Sequence, residues 1–409
     1  MSAAHTKRFL NKSKALTIYN PQTVEDLDAN ILNTDTIADA VVDSFSNMPA
    51  GQGWKMVEQA LAQGIDAVDS PTPEIIALFE QLDRVPDWVD WAQLERGAIA
   101  YWRPGFFTGL ALQCASLAAG YQSSSAVMPL IITGRLIDRA EKRKQETSRW
   151  LLSAANPGKM HRFEEGFAYS VRVRLVHAFV RRKLMKMPEW DTQAWGAPIN
   201  LTDTSYGISG EFSSVAINAI EKCGIKFSDQ ERADIYALWR YVGYVIGIPE
   251  SLLPVDEADA LERMAIKELT DTRADANSQA LVAALIEHGG DNAEELPFYL
   301  KRIVTQERMI DFLYGQVRYF TGKGVADELG VPDTLWKYTL RSLKPTIRFL
   351  DKHRTRFKSD RQRAQQMIAI ASHMLEGKQG AKQLADEKSL TTDIAKRRGL
   401  IKQNLAKAN

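Results

Sequence analysis

Cysteine is nearly missing from this chain. Two in 409 residues, Cys114 and Cys223, are too few for a disulfide framework or a four-thiolate zinc or iron–sulfur centre. Their scarcity fits a reducing compartment and leaves histidine or carboxylate to hold any metal. Histidine is itself sparse, at six. An excess of one charge is missing too: 52 Lys and Arg stand against 51 Asp and Glu, a net of +1. That balance argues against a chain whose main partner is nucleic acid or an anionic membrane, since those ask for a clear basic excess. Long apolar runs are absent as well. Met1 to Tyr19 has scattered Lys and Arg but no continuous apolar centre of the secretory kind. The most apolar stretch, Gly97 to Gly120, is cut by Arg103 and Pro104. What remains, Gly105 to Gly120, is shorter than the roughly 20 residues that cross a bilayer, so a buried core helix is expected there. A cytoplasmic chain without a transmembrane segment follows. Several signatures are also lacking: a Gly-rich phosphate loop ending in Gly-Lys-Ser/Thr, a GxGxxG, an HExxH and a GxSxG elbow. No Glu is followed three residues later by His, which removes the di-iron bundle.

What is present is helical patterning with enough apolar content, 45%, for a large core. From Pro73 to Leu82, Ile75, Ile76, Leu78, Phe79 and Leu82 share one stripe, and Thr72 followed by Pro73 reads as an N-cap and first turn. The same spacing predicts helices at Val24–Phe45, Trp54–Ala62, Arg162–Lys186, Ser213–Lys222, Asp229–Ile246, Asp256–Leu269, Ser278–His288, Glu295–Tyr319 and Asp333–Thr355. Breaks at Ser153–His161, Pro188–Gly210 and Ile248–Pro254 read as loops between helices. No alternating β-branched run bounded by hairpin turns occurs. The fold class is therefore all-α: residues 23–377 form one large helical domain, a globin-like helical core with extra helices at both ends. An N-terminal extension, 1–22, and a basic C-terminal tail, 378–409, flank it.

Among the helices, the one running from Glu164 to Arg182 is unusual. His177 sits in an apolar run of Leu175, Val176, Ala178, Phe179 and Val180, with Val173, Arg174, Val180 and Arg181 one turn away. Such a histidine either satisfies itself in the core or offers a ring nitrogen to a ligand, and the pattern leaves both open. Haem is one ligand that suits it, needing an apolar slot, one axial base and cations for two propionates, for which Arg174 and Arg181 stand one turn either side. Upstream, Arg143 and Thr147 are four apart and share a helix face. That pair is either a functional guanidinium and hydroxyl or part of a solvated charged face.

The segments Pro86-Asp87-Trp88-Val89-Asp90, Thr133-Gly134-Arg135-Leu136, Arg143/Thr147 with Trp150, and Val171–Arg182 around His177 share one resemblance. So do Trp195-Gly196-x-Pro198-Ile199-Asn200-x-x-Asp203 and Trp239–Ile248 running into Leu252-Leu253-Pro254. In order and spacing this set, covering Pro86 to Pro254, resembles the helical oxygenase family of latex clearing protein, the haem b rubber oxygenase, and the mycophenolic acid pathway oxygenase. The resemblance implies haem b with His177 as axial iron ligand, Arg174 and Arg181 beside it, and Arg143 and Thr147 as catalytic donors on the distal side. It implies dioxygen and an apolar, isoprenoid or lipid-like molecule as substrates, and allows a peripheral membrane contact. Two positions depart from the family. Glu146 stands where the rubber oxygenase has a lysine, and Val127 where it has a glutamate proposed as base. Those departures keep a second reading in view, a haem or lipid carrier without turnover, and beside it a structural helical protein with no cofactor. Arg135 and Asp203 are read as ion-pair or loop-cap residues, and the remaining histidines as surface residues.

Overall fold

The computed structural model describes residues 6–133, 140–290, 304–356 and 358–376, and among them the side chains of 140–144, 374 and 376 are also outside the description. Every regular element among the described residues is a helix, and no strand occurs. The tail from 378 onward and the predicted helical stretch 295–303 lie outside the described residues. Sequence signals for helix starts hold where the chemistry is strongest. Thr72 Oγ1 accepts from the Ile75 amide at 3.4 Å to start Pro73–Asp83, and Ser228 and Glu231 form a reciprocal capping box for Asp229–Val245.

Four predicted segments change. The expected Val24–Phe45 helix is two, Pro21–Ala29 and Thr36–Ser44. Between them Asn30 Nδ2 donates to the Asp26 carbonyl at 2.8 Å to end the first helix, and Asp35 Oδ1 accepts from the Ala38 amide at 3.2 Å to start the second. The supposed loop Pro188–Gly210 contains Thr192–Trp195 and Leu201–Ser205, and the latter runs through a π-helical segment, Tyr206–Val215, into Ala216–Cys223. Ser209 Oγ donates to the Ser205 carbonyl at 2.5 Å and Ser213 does the same to Ser209. Such back-bonding competes with the α ladder and favours the wider turn. Likewise the buried rod after Gly105 is α over Phe106–Ala111 and π over Leu112–Leu117. Asp333–Thr355 resolves into a 3₁₀ turn at Leu335–Tyr338, the helix Thr339–Lys352 and a turn at Arg354–Arg356.

The centre of the molecule is the crossing of Trp91–Trp102 with Asp229–Val245. Gly97 makes it tight: a Cβ there would lie 2.1 Å from the Asp234 carbonyl oxygen. Around the crossing, Trp239 packs edge-on to Tyr101 at 5.3 Å and stacks on Phe212 at 5.4 Å. Phe212 in turn meets Trp150 at 5.4 Å. This aromatic cluster joins the centre to the helix Ala140–Ala154, and so to the helix that carries His177.

Candidate functional site

His177 lies on Glu165–Leu184, a 20-residue helix. Three surfaces fix its position. Toward Ala140–Ala154, Trp150 Nε1 donates to Ser170 Oγ at 3.1 Å, and Gly166 approaches so closely that a Cβ would lie 2.4 Å from the Ser153 carbonyl. The two helices are therefore antiparallel, with 153 across from 166 and 150 across from 170. Carried on at a rise of about 1.5 Å per residue, that register sets position 143 opposite 177 and position 147 opposite 173. The four-residue spacing read in the sequence thus sets the backbone at 143 and 147 level with 177 and 173 of the histidine helix. Thr147 is half-buried; the Arg143 side chain lies outside the described residues, as does Arg135. Glu146 and Arg149 act on Tyr169, whose phenol is held above its ordinary range by burial first and by the Glu146 charge second.

The second surface is apolar. Val176, Val180 and Leu184 pack with Met128, Ile132 and Trp190, with Trp54, Trp195 and Ile199 at the margin. His177 is half-buried beside this cluster. Val127, at the family's acid position, is 2% exposed. The Trp195–Asp203 motif builds the margin. Gly196 takes φ +76° against Ile31, Trp190 Nε1 donates to its carbonyl at 3.0 Å, and Asn200 caps Leu201–Ser205. Ile199 adopts φ 49°, costly for a β-branched residue and tolerated only where the surroundings hold it. Here Arg181 Nη1 donates to the Ile199 carbonyl at 2.9 Å.

The third surface is ionic and was not anticipated. Arg174 Nε and Nη2 donate to the two oxygens of Asp35 at 2.6 and 3.0 Å, and Nη1 donates to Gln81 Oε1 at 2.6 Å. Arg181 Nε donates to Asp39 at 2.7 Å. Both arginines are buried, at 2% and 3% exposed. Arg182 reaches Asp43 and Arg172 reaches Glu58. Asp35, Asp39 and Asp43 are spaced four apart, one acidic stripe facing the basic helix. That stripe was the available signal, and the even charge total concealed it. Arg174 is fully engaged in this arrangement. Arg181 keeps one buried nitrogen, Nη2, with no hydrogen-bond partner. Asp203 is an ion-pair residue, taking Arg8 Nη1 at 2.7 Å and Asn200 Nδ2 at 2.8 Å. Of the other described histidines, His161 stacks on Trp91 in an exposed position. No group of three or more metal-binding side chains occurs among the described residues. No helix among them is long and apolar enough to cross a membrane.

Residues 102–350 match the family model described as ER-bound oxygenase mpaB/B'/Rubber oxygenase, catalytic domain. The rubber oxygenase of Streptomyces sp. (strain K30) is 22% identical over 265 residues, 60% of this chain and 59% of that protein; the chain thus spans about three fifths of the length of this curated relative. The solved structure of latex clearing protein LCP in the closed state superposes with a TM-score of 0.56 over 83% of this chain and 91% of the other, at 16% identity, a likeness of fold alone. The family match covers more than half of the chain and includes Trp150, Phe212 and Trp239, the facing helix and the histidine helix: the chain belongs to the mpaB/rubber oxygenase catalytic-domain family.

Proposed function

We propose that the protein is a haem b-dependent oxygenase acting on an apolar, isoprenoid or lipid-like substrate. The observation that carries this reading is one imidazole beside an apolar cluster, with a buried, unpartnered guanidinium N–H one turn away. The residues fit the group. A cation chelated by side chains alone would need a cluster of donors, whereas haem needs only one axial base, apolar walls and a donor for its carboxylates. His177 is the base. Val176, Val180 and Ile132 belong to the walls, and Arg181 Nη2 is the buried nitrogen left over. When bound, haem b supplies the one-electron and dioxygen chemistry.

The chain's own contribution is positioning. The Asp35 and Asp39 pairs fix the rotation of the histidine helix about its axis, and so the direction of His177. On the facing helix, Thr147 and Arg143 would be the hydrogen-bond donors for dioxygen. Val127 cannot take a proton, and Glu146, next to Thr147 in the sequence, is an acid of the facing helix. The apolar walls exclude water and favour a hydrocarbon substrate.

The same residues serve the second reading, a haem or lipid carrier, which the buried Val127 favours because no carboxylate stands at the family's proposed base position. Two measurements separate them. Oxygen uptake by the haem-loaded protein with isoprenoid or lipid substrates supports the oxygenase, and binding without uptake supports the carrier.

A further inference from the structure

Between Leu335 and Arg356 the chain departs from its overall charge balance. This stretch has seven Lys and Arg against one acid, Asp351. The acid is turned inward, accepting from Arg103 Nη1 and the Lys226 amide, each at 3.1 Å. The helix Thr339–Lys352 rests on the body through Leu340 and Ile347. It lies so close to Gly224 that a Cβ there would lie 2.7 Å from the Lys344 carbonyl. Its other faces are open. At 100° per residue, Leu343, Leu350, Thr339, Thr346, Ser342 and Phe349 form an uncharged arc on one side of that contact, and Arg348, Arg341 and Lys352 form a basic stripe on the other. Phe349 and Leu350 are each 62% exposed. Leu335, at 83% exposed, together with Trp336 and Tyr338, extends the apolar surface beyond the helix start. No carboxylate pairs with Arg341, Lys344, Arg348 or Lys352 among the described residues.

We propose that this helix docks the protein on an anionic lipid surface. Exposed aromatic and aliphatic side chains beside a basic stripe suit the headgroup–acyl boundary, where apolar groups insert and cations meet lipid phosphates. Charge complementarity selects this occupant. A second copy would set two basic stripes against each other, and the chain after Glu376 is itself rich in Lys and Arg. The near-neutral total does not oppose the contact, because screening over about 8–10 Å makes the local charge decisive.

The test is co-sedimentation of the full chain with phosphatidylcholine vesicles, with and without added phosphatidylglycerol, at low and high salt. Binding is expected only with the anionic lipid and is expected to weaken with salt. Each Lys or Arg near such a surface strengthens binding roughly fivefold, so Arg341→Gln with Arg348→Gln weakens it about 25-fold. Phe349→Ser with Leu350→Ser, which removes the inserting groups, weakens it by about tenfold or more. All four positions are exposed, and circular dichroism verifies that the variants fold. Equal binding to neutral and anionic vesicles, or variants that bind like wild type, overturns the proposal. So does a concentration-dependent dimer that the variants abolish while wild type ignores vesicles, or an acidic protein that binds this face when vesicles do not.

Discussion

At the scale of single residues, the two arginines beside His177 separate into different tasks although they occupy equivalent places in the sequence. Arg174 has its donors taken by Asp35 and Gln81, while Arg181 retains a buried N–H. A buried guanidinium stripped of its carboxylate is an uncompensated charge in a low dielectric. Asp35→Ala is therefore expected to cost about 3–5 kcal/mol, read as a lowered denaturation midpoint in urea with an unchanged slope. Replacing Arg174 and Asp35 together with apolar residues of similar volume is expected to recover much of that loss. A single substitution that leaves the midpoint within experimental error contradicts the structural role. The sequence marked His177, Arg174 and Arg181 through their spacing. It did not show the arginines' partners, because Asp35 and Asp39 are about 140 positions away and only the packing of two helices brings them together.

At the scale of elements, helix starts were the most legible feature. Pro73–Asp83 begins where Thr72 and Pro73 place it, since a hydroxyl cap and a proline without an N–H act within one turn. Thr72→Ala is expected to cost about 1 kcal/mol, measured by thermal or denaturant unfolding, while Thr72→Ser leaves stability nearly unchanged. Less legible were the changes of helical pitch. At Tyr206–Val215 and Leu112–Leu117 the chain widens into π turns, which an apolar pattern sampled at 3.6 residues per turn does not reveal. The serine ladder Ser205, Ser209, Ser213 was visible in the sequence, and its back-bonding is the physical cause. The antiparallel register of Ala140–Ala154 on Glu165–Leu184 was equally hidden, because it depends on Gly166 admitting the Ser153 carbonyl. That register sets the backbone positions 143 and 147 level with 177 and 173, which is what the proposed role of Arg143 and Thr147 builds on.

At the scale of the whole molecule, the all-α fold follows from the periodicity and agrees with the likeness to the latex clearing protein structure. The even charge total is built from opposed local surpluses: a basic histidine helix matched by an acidic stripe, and a basic, exposed helix near the end of the family match. Distant parts of the chain are joined by the network of Arg103, Glu231, Asp351 and Arg354. Burial alone raises the affinity of Glu231 for a proton, but the hydrogen bond and charge of Arg103 outweigh it and leave its carboxyl below the ordinary value of 4.5. A lowered folded-state value means that this stabilisation is complete above pH 4.5 and is lost as pH falls through the lower folded value. Glu231→Gln is thus expected to be less stable than wild type near neutral pH, with the difference shrinking below about pH 4.5 in acid unfolding curves; a difference independent of pH contradicts this.

The central claim rests on His177, and the absorption spectrum tests it most directly. Protein purified from haem-supplemented cells is expected to show a Soret band in wild type. The band is expected to be lost in His177→Ala, whose helical circular dichroism stays unchanged, and to be retained in the stability variant Thr72→Ala. A wild type without a Soret band, or a band undiminished in folded His177→Ala, would contradict the account.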